Sequence, residues 1–447
     1  MEGLEISVVK LSEVLEDVDL RLESEYYNSE HIVFNSVQGC DIESFSQYGT
    51  SEDLNEEGKG FPILRLNEFD SFFISKPSKY CDLISKETFE LLKLKKNDVL
   101  ICRTNGNPKY VGKAAIVPKN YEYAFASYVF RLRPKTDIIN SATLVSFLNS
   151  KYGRIEIEKY SMVGNQANFS PAKFRQIAIP ILSKELNNKI EEIVYKSFEL
   201  LEESKSLYSQ AEDLLLGELG LKDWQPKNTL HTTKKFSDFA QSGRLDAEYY
   251  QPKYDEIEKA IKSYKGGYDI VSNLFNQNLD VCDYKKTEYN YVEIGDVNVG
   301  DGSVSFNKVD TSELPDNAKR VLHKNDILIS KVRPYRGAVA IIDFEQEDLI
   351  GSGAFTVLQE KSSYKKETLQ ILFRTAVYKD WLLKWNVGSS YPVIKDEDIL
   401  NLSIPILPEQ IQTKIASLIQ QSFECKAQSK QLLEDAKRMV EEEIEKN

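Results

Sequence analysis

Short apolar or alternating runs punctuate the chain at residues 61–66, 98–102, 113–117 and 128–132, and again at 291–294, 326–329, 338–342 and 354–358. They are rich in Val, Ile, Tyr and Phe and are bounded by Gly, Pro, Asn and Asp, the pattern of strands closed by turns. A helical stretch is expected after each set, at about 142–160 and 366–385. After Pro180, and again after Pro405, the pattern becomes helix-periodic for about 35 residues. Positions 186, 190, 193, 197, 200, 204, 207, 211 and 214 read Leu, Ile, Ile, Ser, Leu, Ser, Leu, Ala, Leu. The positions 225 further on read Ile, Ile, Leu, Ser, Cys, Ser, Leu, Ala, Met. This 4-3 spacing is a heptad seam, and its small residues allow close backbone approach. Each helix would be roughly 50 Å long at 1.5 Å per residue. An antiparallel coiled coil of the two would place the two mixed bodies at opposite ends. The competing arrangement packs each helix on its own body.

The recurrence of the seam is part of a longer repeat, which decides the architecture. "RLESEYY" at 21–27 returns as "RLDAEYY" at 244–250. "LKKNDVLICR" at 94–103 returns as "LHKNDILISK" at 322–331. "GKAAIV" at 112–117 returns as "GAVAII" at 337–342, and "IAIPIL" at 177–182 as "LSIPIL" at 402–407. The expected fold class is α+β: a tandem repeat of two mixed bodies, each followed by a long helix. The expected boundaries are 1–180, 181–219 (helix), 220–233 (linker), 234–405 and 406–447 (helix), with the composition break at 217–233.

The chain's 447 residues suit several domains, and 41% apolar residues suffice for real cores. The net charge of -13 argues against a protein that coats nucleic acid without selectivity. Charge is uneven, however. Residues 93–135 carry ten Lys or Arg against Asp98 and Glu122, and residues 319–336 carry six against Asp326. Five widely spaced cysteines and three scattered histidines give neither a disulfide framework nor a zinc site. With no long apolar stretch and no leader-like start, a cytoplasmic protein is expected.

Catalytic motifs are missing. No phosphate-binding G-x-x-x-x-G-K-[ST], G-x-S-x-G or H-E-x-x-H sequence occurs. "NPKY" at 107–110 resembles the Asn-Pro-Pro-Tyr/Phe motif of amino-methyltransferases but lacks the second Pro, so a turn with a basic tip is expected there. Asp98 and Asp326, each in a "KND" sequence before a strand, read as turn residues and not as metal ligands.

The segments "LKKNDVLICRTNGNPKYVGKAAIV" and "LHKNDILISKVRPYRGAVAII" resemble the "GDILISRxGTxGKxAIV" stretch of type I restriction-modification specificity subunits. "GSSYPVIKDEDILNLSIPILPEQIQTKIASLI" at 388–419 resembles that family's closing pattern, and "GNQANFSPAKFRQIAIPILSKELNNKIEEIV" is a weaker copy. The resemblance implies a non-catalytic subunit with two target-recognition domains, each reading half of a split site in double-stranded DNA. It implies docking of two modification (methyltransferase) subunits, which would hold the S-adenosylmethionine, with restriction/translocase subunits as further partners and no cofactor on this chain. A specificity-like module of another phage-defence complex and a coiled-coil scaffold that binds no DNA are the competing readings.

The residues expected at DNA lie in the loop after each "KND" strand. They are Arg103, Asn105, Asn107, Lys109, Tyr110 and Lys113 in the first copy, and Lys331, Arg333, Tyr335 and Arg336 in the second. Arginine pairs bidentately with guanine and asparagine with adenine, while lysine and tyrosine hold phosphates. By family analogy the turns at Asn165 and Gln166, and at Ser389, Ser390 and Tyr391, are added. Arg131 and Arg133 are expected on a supporting strand, within reach of phosphate.

Overall fold

The computed structural model describes residues 8–16, 34–161, 167–227, 229, 231–388 and 391–446. The fold is α+β and divides into two units, residues 1–201 with 426–447, and residues 202–425.

In the first unit β1 (Glu43–Tyr48), β2 (Val99–Cys102), β3 (Ala114–Ile116) and β4 (Val129–Pro134) form an antiparallel sheet in the order β1-β4-β2-β3. Side chains alternate across it with period two. Val99, Ile101, Phe130 and Leu132 enter one core, and Leu100 and Val129 enter another on the opposite face. Burial on both faces explains why β2 is an unbroken apolar run instead of an alternating one. A smaller sheet joins Ala124–Phe125, Phe61–Leu64 and Lys79–Cys81, with the first pair parallel.

The second unit has β5 (Phe275–Gln277), β6 (Ile327–Ser330), β7 (Val339–Ile341) and β8 (Phe355–Glu360), antiparallel in the order β5-β8-β6-β7. Ile327 and Ile329 enter one core and Leu328 another. Its second sheet orders Asn307–Asp310, Glu288–Val292, Leu349–Ser352 and Ala318–Val321, with the middle pair parallel.

Each "KND" sequence is a turn. Asn97 and Asn325 adopt left-handed backbone at φ 71° and 74°, a conformation Asn tolerates better than most residues. The following aspartate closes the turn, with Asp98 accepting from the Lys95 amide at 2.9 Å and Asp326 from the His323 amide at 2.9 Å.

Two expectations are corrected. The 142–160 stretch is two helices, Ser141–Leu148 and Lys151–Tyr160, because Ser150 caps the second and accepts from the Gly153 amide at 3.2 Å. The 366–385 stretch breaks likewise at Thr375 into Lys366–Arg374, Ala376–Trp381 and a 3-10 turn, Leu382–Trp385. The first long helix, α1 (Lys184–Leu219), passes through Gly217 and ends before Gly220, whose φ of 67° suits a helix-ending glycine.

The second long helix, α2, is Glu409–Glu445. In the first unit Ile190, Val194, Leu433, Ala436, Val440 and Ile444 share one core with the body, and Ser197 bonds Ser429 at 2.8 Å. In the second, Ala211, Leu215, Ile415 and Ile419 share the body's core, and Ser204 bonds Ser422 at 3.0 Å. The seven-residue rows 190-197-204-211 and 415-422-429-436 are buried as expected. The alternate seam position is displaced by one residue, to Val194, Leu215, Ile419, Leu433 and Val440. An apolar stripe that faces a body as well as a helix is wider than a two-position coiled-coil seam. Among the described residues, no helix is long and apolar enough to cross a membrane.

Candidate nucleic-acid interface

In the first unit the loop is launched from β2. Arg103 is pinned through its backbone, its amide donating to the Tyr128 carbonyl and its carbonyl accepting from the Phe169 amide, both at 2.8 Å. Its guanidinium lies 5.1 Å from the centre of the Tyr48 ring, and its buried Nε has no hydrogen-bond partner among the described residues. Thr104–Asn105 pairs with Ala167–Asn168. Two side-chain turns follow: Asn105 Oδ1 accepts from the Asn107 amide at 2.8 Å, and Asn107 Oδ1 from the Lys109 amide at 3.1 Å. These hold "NPKY" in the expected turn, a 3-10 helix at Pro108–Tyr110 with Lys109 and Tyr110 exposed. Lys113 is partly buried beside β3. Gly112, at φ 76°, must be glycine, because a Cβ would sit 2.4 Å from the Ile157 side chain.

The second unit builds its loop differently. Lys331 points back to Asp396, 3.1 Å away, and is mostly buried. Arg333 has left-handed backbone at φ 48°, held by its amide donating to the Pro392 carbonyl at 2.7 Å. Left-handed backbone at a bulky residue persists only where its surroundings enforce it. Its guanidinium lies 4.4 Å from the centre of the exposed Tyr391 ring. Tyr335 and Arg336 are exposed at the tip. The structure therefore brings Arg333 together with Tyr391 and takes Lys331 out of reach. Asn165, Gln166, Ser389 and Ser390 lie outside the described residues.

Arg131 is a correction. It is buried, 3.2 Å from Asp98, while Arg133 lies 2.5 Å from the same carboxylate. Burial lowers the Arg131 pKa, opposed by the Asp98 charge. This guanidinium cannot reach phosphate. In the second unit Asp326 is satisfied by neutral groups instead, Asn278 and Gln359, each at 2.9 Å.

Sequence reasoning missed Tyr48 as the platform for Arg103, because β1 lies 55 residues upstream of it and only the fold makes them neighbours. Asp396 as the acid that holds Lys331 was missed for the same reason. At the foot of the first loop, burial pushes the Cys102 thiol up to about 12, beyond useful thiolate formation, despite the nearby charges of Arg154 and Lys113. Among the described residues no three His, Cys, Asp or Glu side chains cluster as metal ligands.

Residues 269–438 match the family described as the type I restriction modification DNA specificity domain. That segment is similar to the specificity domain of type I restriction-modification systems. No curated protein matches the chain. Among solved structures the chain is similar to the type I restriction-modification S subunit from M. genitalium, at 13% identity and TM-score 0.43, covering 93% of this chain and 96% of that one. It is also similar to the HsdS subunit from Thermoanaerobacter tengcongensis, at 13% identity and TM-score 0.28, covering 92% and 96%.

Proposed function

We propose that this chain is a non-catalytic specificity subunit that reads a split, asymmetric DNA target, one half with residues 1–180 and the other with 234–405. In this reading α1 and α2 pair as an antiparallel coiled coil that sets the gap between the half-sites, and the two halves of the chain are tandem copies of one recognition module. The observation that carries the reading is the arginine stacked on a tyrosine beside the loop after each "KND" strand, Arg103 on Tyr48 and Arg333 on Tyr391. A guanidinium held over a ring can present its terminal nitrogens to a base edge, which is how arginine addresses a guanine. Asn105, Asn107, Lys109, Tyr110 and Lys113 complete the first contact set, and Tyr335 and Arg336 the second. The antiparallel pairing is supported by Ser197 with Ser429 and Ser204 with Ser422, two contacts whose residue numbers rise on one helix as they fall on the other.

The partners in this reading are two methyltransferase subunits, which carry S-adenosylmethionine, with restriction/translocase subunits as further partners in the cytoplasm. The test is to copurify the chain with the methyltransferase it accompanies and map methylation across a genome. A bipartite motif is expected, with Arg103→Ala relaxing one half and Arg333→Ala the other. A single uninterrupted motif, or either variant relaxing both halves equally, overturns the reading.

A further inference from the structure

The repeated "RLDAEYY" sequence at 244–250 is not part of either loop, yet nearly all of its polar groups are engaged. Arg244 forms a two-pronged pair with Asp246, both contacts at 2.7 Å, and lies 4.8 Å from the centre of the Tyr249 ring. The same guanidinium donates to the Trp385 carbonyl at 3.2 Å and the Asn386 carbonyl at 2.7 Å. Those carbonyls end the 3-10 turn Leu382–Trp385, where helical acceptors lack intrahelical donors and cations are favoured. Tyr250 donates to the Arg244 carbonyl at 2.9 Å and so fixes the backbone of the arginine itself.

What Arg244 fixes is the root of the reading loop. The next residue, Val387, exchanges two backbone hydrogen bonds with Val393, at 2.9 and 3.1 Å. Val393 is bridged to Val332, the Ile394 amide donates to the Lys331 carbonyl at 3.0 Å, and the Pro392 carbonyl holds the Arg333 amide. Tyr391, beside Pro392, carries the Arg333 guanidinium. A continuous hydrogen-bonded path thus runs from Asp246 through Arg244, Asn386, Val387 and Val393 to Arg333. Leu245, inside the motif, is 80% exposed, so the motif is a polar clamp on the surface and not a piece of core.

We propose that Arg244, oriented by Asp246, is a positioning residue for base discrimination by Arg333. It touches no DNA in this account, and the inference rests on the reading of Arg333 given above. The test compares Arg244→Gln, Asp246→Asn, Arg333→Ala and the double variant Arg244→Gln/Arg333→Ala in the subunit copurified with its methyltransferase. The readout is methylation of targets carrying single-base changes in each half-site. Arg333→Ala is expected to reduce discrimination about tenfold or more at one half-site. Arg244→Gln should reduce it at the same positions, leave the other half-site unchanged, and add nothing in the double variant. If Arg244→Gln gives no intact complex, Asp246→Asn, which keeps the carbonyl contacts, should give a smaller loss at that same half-site. Arg333→Ala relaxing its half-site while neither clamp variant does overturns the inference alone, as does a clamp variant that lowers methylation equally at all sequences. Arg333→Ala without effect overturns the reading of the loop and the inference with it.

Discussion

Whether a basic side chain can meet DNA depends on what else already holds it. Arg131 and Lys331 belong to the two basic islands by count, yet Asp98 and Asp396 hold them, and burial removes Arg131 altogether. Arg103 and Arg333 lie on rings, without a carboxylate partner among the described residues. Linear charge reveals the islands but not this sorting, since the partners of Arg131 and Lys331 lie 33 and 65 residues away. Removing either ring-stacked arginine should cost about 1–3 kcal/mol of discrimination at one base. Tyr48→Leu should cost about 0.5–1 kcal/mol at the half-site read by Arg103, the usual scale of an exposed cation–ring contact, measurable by the same methylation of single-base variants. Asp98→Asn should be the more damaging to stability, because it leaves a buried guanidinium without its counter-charge, a loss of about 3–5 kcal/mol in denaturant unfolding. Asp326→Asn, where the partners are neutral amides and a peptide N–H, should cost about 1–3 kcal/mol, the usual scale of an unsatisfied buried group.

At the scale of elements, the strands and their turns are legible because their rules are local. A continuous apolar run preceded by "KND" gives a strand buried on both faces, and Asn97 and Asn325 supply the left-handed turn residue. The helices are less legible: Ser150 and Thr375 restart helices inside runs that read as continuous, and the seam's second row shifts by one position because each helix also faces a body. The serines of the seam were visible, but not their geometry. Ser422 donates to the Ser204 carbonyl at 2.8 Å, and Ser429 to the Ser197 carbonyl at 2.9 Å, so the hydroxyls lie between closely spaced backbones. Ser422→Leu should force those backbones apart and cost about 1–3 kcal/mol, read as a lowered denaturation midpoint. Ser204→Ala with Ser422→Ala together should be nearly neutral, since no donor is then left unsatisfied.

At the scale of the whole chain, the proposed ruler makes its own prediction. In the proposed antiparallel pairing the serine register, 197 with 429 and 204 with 422, is kept when one heptad is inserted after Leu200 and one after Cys425. The helices would lengthen by about 10 Å at 1.5 Å per residue, and the gap in the methylated motif should grow by about three base pairs at about 3.4 Å each. An unchanged gap at full methylation would exclude the helices as the ruler. The division into units has a consequence of a different kind. The first unit is built from residues 1–201 together with 426–447, whose Leu433, Ala436, Val440 and Ile444 complete its core. All of 202–425 must be synthesised before those residues exist. During translation the earlier-made unit is therefore left waiting with Ile190 and Val194 uncovered, while the later-made one can close first. The unit begun first is thus completed last, and a message cut short before residues 426–447 would leave its core open.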